Sequence, residues 1–590
     1  MVAALGCGSS SKSPSNEAPP DASVGGSDTS TGSADGAGAP DTAQAPDATQ
    51  APDATQPDDG ATGPTPEAGA ATASSWLGTN VDADLPYADI TYMMTGFNTA
   101  AAQLDANGYP VAGASGTSQT DLGFELPTGT YNISYVGTGT LAVSGVGKLV
   151  GSWQTVSGEQ RGQVQVTGTP VAFGNFLILT VTNGASQTVT AIHMYLPGIG
   201  YDPASPFNPQ FLAALTPFRA MRFMDWLATN NSKLANWSDR PAATHFGTSS
   251  YGAPYELLAE LINETGKDGW INVPELATSS FITSFASFMA ANLDFTRIGA
   301  ARAASGITTP FQLIVENSNE TWNMGFSAYA TFLAAANANP SRYTGTYSGT
   351  YGPSWMSSNS DLMKVGQYEA DRLVMIGQSF TQAFQAVGHA NVVSPVLSGW
   401  ALGAVYSDVG LSFIQANYGA PKDYVAYVAL APYFNTPDDT TTGSLATLFP
   451  ALQTAITTNA AVFPDFAMLA TQYGVTIAAY EGGQGLSGTT NEPIKHLAQF
   501  DVRMHAAYAQ YLASWKQSFP STLFMHFNLA GEPGLPESFF QYGFWGSLPG
   551  IGSNLATCGM NLPMLAGTEM VSSVAQYCPK YQALADTLGQ

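Results

Sequence analysis

Two glutamates, Glu320 and Glu481, stand where an apolar run gives way to polar residues. The run from Leu313 to Val315 has the length and composition of a buried β-strand. The polar residues that follow it include Glu316, Asn317, Asn319 and Glu320. A second apolar run, from Val475 to Tyr480, leads directly into Glu481. Two carboxyl groups at the ends of buried strands provide the acid and the nucleophile that cleavage of a glycosidic bond requires.

The elements that must position these two residues alternate between strands and helices from about residue 206 onward. Seven strands are predicted there: Phe218–Trp226, Asp268–Val273, the run before Glu320, Asn391–Leu397, Tyr424–Leu430, the run before Glu481, and Thr522–Asn528. With Leu77–Val81 as an eighth strand, the pattern predicts a (β/α)8 TIM barrel, whose sites lie at the carboxyl ends of the strands. On this count Glu320 ends strand four and Glu481 ends strand seven.

A different pattern separates the first of these strands from the others. Residues 99–198 are rich in Gly, Thr and Val, with alternating apolar residues and frequent turn signals, which is typical of a β-sandwich. We therefore predict a sandwich domain inserted between the first barrel strand, in residues 76–98, and the remainder of the barrel, in residues 199–590. Its aromatic residues Tyr131, Tyr135 and Trp153 either bind carbohydrate or fill the core of the sandwich.

The arrangement resembles the retaining glycoside hydrolases with (β/α)8 barrels that are called clan A. The resemblance covers Trp76 to Val81 and Phe207 to Asn528. In that clan an Asn-Glu pair ends strand four, and a Glu ends strand seven. Asn319-Glu320 and Glu481 match these positions, so the resemblance implies that Glu320 is the acid/base and Glu481 the nucleophile of a double displacement.

The resemblance also implies partners for these two residues. An Arg late in strand two and a Tyr near the nucleophile are typical of the clan, and Arg222 and Tyr433 match them. Such donors would keep Glu481 ionised, whereas burial or a neighbouring charge must keep Glu320 protonated. Asn319 would hydrogen-bond the sugar hydroxyl next to the reacting carbon.

Two acidic residues near these positions each have two interpretations. Glu316 lies four residues before Glu320, so both side chains point to the same side of a strand. Glu316 therefore either orients Arg222 or adds a like charge that keeps Glu320 protonated. Asp225 either hydrogen-bonds a sugar hydroxyl or caps its own loop.

Aromatic residues near the strand ends are candidates for stacking on the apolar faces of sugar rings. These candidates are Trp226, Trp237, Trp270, Trp322, Trp400, Tyr433 and Trp545. Many clan members place a Trp at the end of strand eight, where this chain has Met525-His-Phe-Asn528. Trp545, Trp400 or Trp322 would then replace it. His526 lies on the same predicted strand and is a further substrate-binding candidate.

The amino-terminal 75 residues differ from the rest of the chain. Met1 to Cys7 resembles the end of a bacterial lipoprotein signal, in which Cys7 would carry the lipid; otherwise the match is a chance one. The segment from Gly8 to Ser75 has almost no large apolar residues and contains a tandem Ala-Pro-Asp-Ala-Thr-Gln repeat. This composition predicts a disordered tether.

Near the other end, Cys558 and Cys578 either form a disulfide, which is typical of an oxidising compartment, or remain free thiols.

Composition excludes several classes of partner. The 590 residues include 43 acidic and only 18 basic ones, for a formal net charge of -25. Nucleic acids and anionic membranes bind basic patches, so neither is an expected partner, and a membrane is expected only through the lipid on Cys7. The chain lacks the motifs of serine hydrolases, zinc peptidases and P-loop proteins, and its six His are scattered. We predict no cofactor and no catalytic metal.

The leading hypothesis is a monomeric extracellular or surface-tethered retaining glycoside hydrolase that cleaves a β-linked polysaccharide internally. The alternative is a non-catalytic surface lipoprotein that binds carbohydrate on the same barrel. Glu320 and Glu481 together favour the first hypothesis. A third hypothesis, an adhesion or matrix protein built around the sandwich, leaves the polar strand ends unexplained.

Overall fold

A computed structural model describes nine segments of the protein: residues 73–82, 86–120, 126–167, 176–435, 443–488, 490–520, 522–531, 544–549 and 578–587. The predicted tether falls outside these segments up to residue 72, as do Cys7 and Cys558. Cys578 is described, and it is disulfide-bonded.

The strands divide into a parallel set and an antiparallel set. In chain order they are β1 (Leu77–Asn80), β2 (Ser115–Gln119), β3 (Gly129–Gly137), β4 (Thr140–Gly145), β5 (Gly147–Val156), β6 (Glu159–Val166), β7 (Leu177–Thr182), β8 (Val189–Tyr195), β9 (Ala220–Arg222), β10 (Asp268–Val273), β11 (Leu313–Asn317), β12 (Val393–Ser398), β13 (Tyr427–Leu430), β14 (Thr476–Ala479) and β15 (Phe524–His526).

The parallel strands form a closed barrel in the order β1-β15-β14-β13-β12-β11-β10-β9. Closure depends on β1, in which Leu77 pairs with Phe524 of β15 and Gly78 pairs with Ala220 of β9. The seven antiparallel strands lie between β1 and β9 in the chain. The predicted (β/α)8 barrel with an inserted sandwich is therefore confirmed, whereas its division at residues 98 and 198 stays a prediction.

Side chains fill the interior of the barrel. The strands contribute a cluster of fully buried residues: Ala220, Trp270, Ile314, Val396, Ala429, Ala478, Tyr480, Leu523 and Met525. Gly78 belongs to the same layer, where a Cβ atom would lie 2.3 Å from the sulfur of Met525. Successive residues of a strand point to opposite faces, so every second residue faces inward and the residues between them pack against the helices.

The helices cover the outside of the barrel. In the described segments they are α1 (Pro209–Ala214), α2 (Tyr255–Thr265), α3 (Ser279–Asn292), α4 (Phe295–Ala304), α5 (Ser327–Asn337), α6 (Ser354–Ser357), α7 (Ser360–Ala386), α8 (Val405–Asn417), α9 (Leu445–Asn459), α10 (Phe463–Tyr473), α11 (Glu492–Ala498), α12 (Val502–Ser518) and α13 (Pro579–Ala585). Short 3-10 helices occupy Ile90–Met93, Ala101–Gln103, Trp237–Asp239, Ala390–Val392, Pro421–Asp423 and Ala460–Val462.

The longest helix, α7, shows why the sequence forms these elements. The side chain of Asn359 caps its first turn by accepting a hydrogen bond from the N–H of Leu362. Its buried apolar residues recur every three or four positions, at Leu373, Ile376, Phe380 and Phe384. This spacing gives one apolar face, which packs against α3, α5, α8 and the outer side of β11 and β12. In the described segments, no helix combines the length and apolar character needed to cross a membrane.

The sandwich consists of a three-stranded sheet, β2-β7-β4, and a four-stranded sheet, β5-β6-β3-β8. The aromatic residues singled out in the sequence differ in exposure. Tyr131 and Tyr135 are buried, and their hydroxyls donate to the carbonyls of Pro127 and Gly139. Both therefore fill the core, whereas Trp153 is half-buried with its ring edge-on to Tyr135.

Candidate active site

Glu320 lies three residues beyond the end of β11, in a backbone of unusual conformation. Ser318 and Glu320 have φ angles of 64° and 40°, in the left-handed region that costs a non-glycine residue about 1–2 kcal/mol. Backbone hydrogen bonds hold this turn: the Ser318 N–H donates to Val273, and the Asn323 N–H donates to the carbonyl of Glu320. The strained backbone brings the Glu320 side chain to a site that is 2 % exposed.

Arg222, the last residue of β9, is the centre of the site. Its Nη1 donates to Glu481 at 2.8 Å and to Asn80 at 3.1 Å. Its Nη2 donates to Asn319 at 2.8 Å, and Nε and Nη2 together hold the carboxylate of Glu316. A single buried guanidinium thus connects the carboxyl ends of β1, β9, β11 and β14.

Glu481 directly follows Tyr480 at the end of β14 and is 1 % exposed. One of its carboxylate oxygens accepts from Arg222, and the other accepts from the hydroxyl of Tyr433 at 2.9 Å. Burial raises the pKa of Glu481, but Arg222 and Tyr433 oppose this rise because both favour the charged form.

Glu320 has weaker partners. The amide of Asn323 donates to it at 2.9 Å, and the hydroxyl of Tyr480 lies 3.5 Å from its other oxygen. Burial raises the pKa of Glu320, and the nearby charge of Glu481 raises it further. With Glu481 ionised beside Arg222, the neutral form is favoured at Glu320.

Glu316 is a positioning group for Arg222. It forms a bidentate pair with the guanidinium and also accepts from Trp270 Nε1 and Asn272 Nδ2, both at 2.8 Å. The contacts support the first interpretation of Glu316, orientation of Arg222, and the second also holds, because the charge of Glu316 raises the pKa of Glu320. Asn319 is fixed as well, because its oxygen accepts from Arg222 and its Nδ2 donates to Asn230 at 2.9 Å.

Aromatic residues lie on the Glu481 side of the site. The ring of Phe527 lies edge-on to Tyr433 at 6.4 Å and contacts Trp545 at 5.7 Å. Trp545 is half-buried, and in the described segments its buried Nε1 has no hydrogen-bond acceptor. Phe527 and Trp545 thus occupy the region where the sequence lacks a strand-eight Trp.

A second aromatic group lies on the Glu320 side. Trp322 and Trp400 stack with ring centroids 4.7 Å apart, and the half-exposed Trp355 lies edge-on to Trp400. The Nε1 of Trp322 donates to the hydroxyl of Tyr480, which in turn lies next to Glu320. The carboxyl pair is therefore flanked by aromatic side chains on both sides.

Two predicted substrate-binding residues lie outside the site. Trp226 is fully buried against Tyr87 and Phe223, so it offers no surface to a sugar. His526 is also fully buried, where it contacts the Tyr508 hydroxyl, and burial lowers its pKa to about 3. Both are residues of the core.

Asp225 is half-buried in the loop after β9, where its backbone carbonyl accepts from the N–H of Ala228, and the role of its side chain stays a prediction.

Several residues of the site were missed in the sequence. They are Asn80, Asn272, Asn323, Tyr480 and Phe527. Asn80 and Asn272 are polar residues at the ends of buried strands, which is the signal that identified Glu320. Tyr480 follows the inward-facing Ala478 by two positions, so strand alternation places it inside the barrel.

Within the segments that the structure describes, no cluster of three or more His, Cys, Asp or Glu residues could hold a metal ion.

Comparisons with known proteins give weak structural likenesses only. No family model and no curated protein matches the chain. The GH51 arabinofuranosidase from Xanthomonas axonopodis pv. citri aligns over 56 % of this chain and 62 % of its own, with 12 % identity and a TM-score of 0.33.

A GH5-4 broad specificity endoglucanase from Ruminococcus champanellensis aligns over 66 % of this chain and 87 % of its own, with 12 % identity and a TM-score of 0.31. The Penicillium canescens endo-1,4-beta-xylanase XylE aligns over 65 % and 89 %, with 13 % identity and a TM-score of 0.29. The fold itself is established by the strand pairing of the barrel.

Proposed function

We propose that this protein is a retaining glycoside hydrolase in which Glu481 is the nucleophile and Glu320 the acid/base. The observation that carries the proposal is the unequal environment of two buried carboxyl groups at one end of the barrel. Glu481 accepts from a guanidinium and from a phenol at 2.9 Å, whereas Glu320 accepts from one amide and from the more distant Tyr480 hydroxyl at 3.5 Å, and its pKa is raised. Environments that drive two pKa values apart define an acid and a base.

In the first step, a carboxylate oxygen of Glu481 attacks the anomeric carbon while Glu320 gives its proton to the leaving glycosidic oxygen. The products are a glycosyl ester of Glu481 and a free sugar hydroxyl. Glu320 is then ionised and takes a proton from water, which attacks the same carbon and releases Glu481. Two inversions give net retention, and Glu320 regains its proton.

The neighbouring residues orient the two glutamates and set their charge states for these steps. Arg222 and Tyr433 hold Glu481 ionised and aimed, and Glu316 keeps Arg222 in place. Asn319 is available to bind the hydroxyl beside the anomeric carbon. Groups that are already oriented need no rearrangement at the moment of reaction.

The substrate in this proposal is a β-linked polysaccharide that is cleaved internally. Aromatic residues on both sides of the carboxyl pair support it, because an internal cut needs sugar contacts on both sides of the bond. These are Tyr433 and Trp545 on one side and Trp322, Trp400 and Trp355 on the other. We further propose an extracellular or cell-surface location, which the disulfide at Cys578 supports.

The test is the release of reducing ends from a panel of plant and microbial polysaccharides. We expect at least one substrate to be cleaved, and Glu320→Gln and Glu481→Gln each to reduce the rate about 100-fold or more. Glu260→Gln is the matched control, because Glu260 forms a partly exposed ion pair with Arg297 on the outside of the barrel. Binding without release of reducing ends by the wild type would favour the non-catalytic alternative.

A further inference from the structure

A third buried glutamate, Glu369 on α7, lies behind the Glu320 loop. It is 1 % exposed, and its carboxylate has four donors. Ser398 donates to one oxygen through its hydroxyl at 2.6 Å and its N–H at 3.1 Å. The hydroxyls of Thr321 and Tyr406 donate to the other oxygen at 2.5 and 2.7 Å. Thr321 directly follows Glu320, so this network reaches the backbone of the site.

One turn further along α7, Arg372 holds the other end of the same loop. Its Nε donates to the side chain of Asn317 at 3.0 Å, and Asn317 donates back to the carbonyl of Glu369 at 3.5 Å. Arg372 also donates to the carbonyls of Pro274 and Ala277, after β10. One face of α7 thus binds the chain at Asn317 and at Thr321, on either side of the left-handed Ser318 and Glu320.

We propose that Glu369 is a positioning residue that holds Glu320, through Thr321, in the geometry required for proton transfer to the leaving group. This inference rests on the function proposed above. A left-handed conformation at a non-glycine residue persists only where the surroundings hold it. The two attachments to α7 hold it here, and a misplacement of about 1 Å in such a group costs about 100-fold in rate.

The chemistry of the network explains why a carboxylate stands at position 369. Burial raises the pKa of Glu369 to about 7, and the hydrogen bonds from Ser398, Thr321 and Tyr406 oppose this rise because they favour the charged form. In that form the carboxylate only accepts hydrogen bonds, so it satisfies the Ser398 N–H and the three hydroxyls together. A glutamine of the same size presents an NH2 group to one pair of these donors. The hydroxyl of Thr321 is the link to the site, so Thr321→Val removes that link while the shape of the side chain is kept.

The experiment compares two aryl glycosides of the sugar that the wild type releases, one with a 2,4-dinitrophenyl and one with a phenyl leaving group. The first leaves without protonation, whereas the second needs the proton of Glu320. We expect Thr321→Val and Glu369→Gln to lower kcat/KM for the phenyl glycoside about 10- to 100-fold and to change the dinitrophenyl value less than about threefold.

Two variants serve as controls. Thr321→Ser keeps the hydroxyl and should restore most of the phenyl glycoside activity. Ser407→Ala removes a buried hydroxyl that has no hydrogen-bond partner in the described segments and lies beside Tyr406, so it should behave like the wild type. A loss of Thr321→Val activity that is equal for both leaving groups, or no loss at all, would overturn the inference.

The outcomes separate this inference from the proposed function. If the wild type cleaves neither glycoside and no polysaccharide, the proposed function fails. The position of the Glu320 carboxyl in crystal structures of the wild type and Thr321→Val then decides the inference, and an unchanged position overturns it. If Glu369→Gln does not fold, Thr321→Val carries the test, with its dinitrophenyl activity as the measure of an intact site.

Discussion

The guanidinium of Arg222 lies 2.8 Å from a carboxylate oxygen of Glu481, and neither side chain is accessible to solvent beyond 1 %. The same guanidinium holds Glu316 through a bidentate pair. One positive charge is therefore shared between two buried carboxylates, and a third carboxyl, Glu320, lies close enough for its pKa to respond to Glu481. The charge balance of this cluster favours a neutral Glu320.

The hydroxyl of Tyr433 should set the acidic limb of the pH profile. It donates to Glu481 and stabilises the ionised form, so it lowers the pKa of that carboxyl. Tyr433→Phe should raise this pKa and move the acidic limb of kcat/KM to higher pH, since Glu481 must be ionised to attack.

The matched control is Tyr427→Phe, because the hydroxyl of Tyr427 donates to Gln312 instead of Glu481. Profiles of both variants on one substrate, measured from acid to base, give the comparison. An acidic limb that stays in place in Tyr433→Phe would contradict the role of this hydrogen bond.

Azide should distinguish the roles of the two glutamates. Glu481→Ala should abolish activity on every substrate, and azide should restore it as a glycosyl azide of inverted configuration. Glu320→Ala should spare the first step for activated leaving groups, and azide should restore turnover with retention. NMR of the products gives the configuration. The reverse pattern on an aryl glycoside would mean that the roles are exchanged.

The separation of the two carboxyl groups should be about 5–5.5 Å. A crystal structure of the protein measures it directly, and the anomer released from a reducing-sugar substrate gives an independent answer. A separation of about 9 Å, or a product of inverted configuration, would replace double displacement with a single displacement by water.

Removal of Arg222 should destabilise the fold strongly. Arg222→Met leaves Glu316 and Glu481 without their common cation, and such a loss costs about 3–5 kcal/mol for a buried pair. Arg222 lowers the pKa of Glu481 against the effect of burial, so without it this pKa lies further above its unfolded value, and the stability present at low pH is lost as the pH rises. Urea denaturation at pH 5 and pH 8 should show that the variant loses more free energy of unfolding, relative to the wild type, at pH 8.

The control for this measurement is Arg297→Met. Arg297 pairs with Glu260 on the outside of the barrel, where both side chains are partly exposed. Loss of an exposed pair should cost about 1 kcal/mol or less at either pH. Equal losses in the free energy of unfolding for Arg222→Met and Arg297→Met would contradict the charge balance inferred for the site.

Glu320→Gln should stabilise the protein at neutral and higher pH. The raised pKa of Glu320 in the folded state means that its contribution to stability is present below the pKa of the unfolded chain and is lost as the pH rises through the folded-state pKa. A glutamine cannot ionise, so the gain in Tm over the wild type should grow from pH 5 to pH 8. A gain that shrinks over this range would show that the Glu320 pKa is not raised.

The sequence revealed the barrel and the carboxyl pair because both depend on strand periodicity. Leu313–Val315 and Val475–Tyr480 are apolar runs followed by polar residues. These polar residues come together in the folded protein because the carboxyl ends of the barrel strands converge. The same alternation could have identified Tyr480 and excluded His526, since Met525 faces the interior and its neighbour must face the helices.

Strand alternation could not have predicted that Trp226 is buried in the core. It follows β9 in a loop where Ala228 and Asn231 adopt positive φ angles, and no repeating pattern specifies the path of such a backbone. Its ring packs on Tyr87, in the segment between β1 and the sandwich. That contact depends on the tertiary arrangement and not on the order of residues in the sequence.

The pairing of β1 with β15 has a consequence for folding during translation. A chain synthesised from its amino end exposes Leu77–Asn80 first, yet the strand that completes its pairing, Phe524–His526, arrives more than 400 residues later. The sandwich strands emerge in between, so that domain can form while the barrel is still open. Asn80 must meet both Arg222 and the backbone of His526, and it does so only at closure. We therefore expect a nascent chain to hold Glu320 and Glu481 in no fixed relation until β15 has been translated.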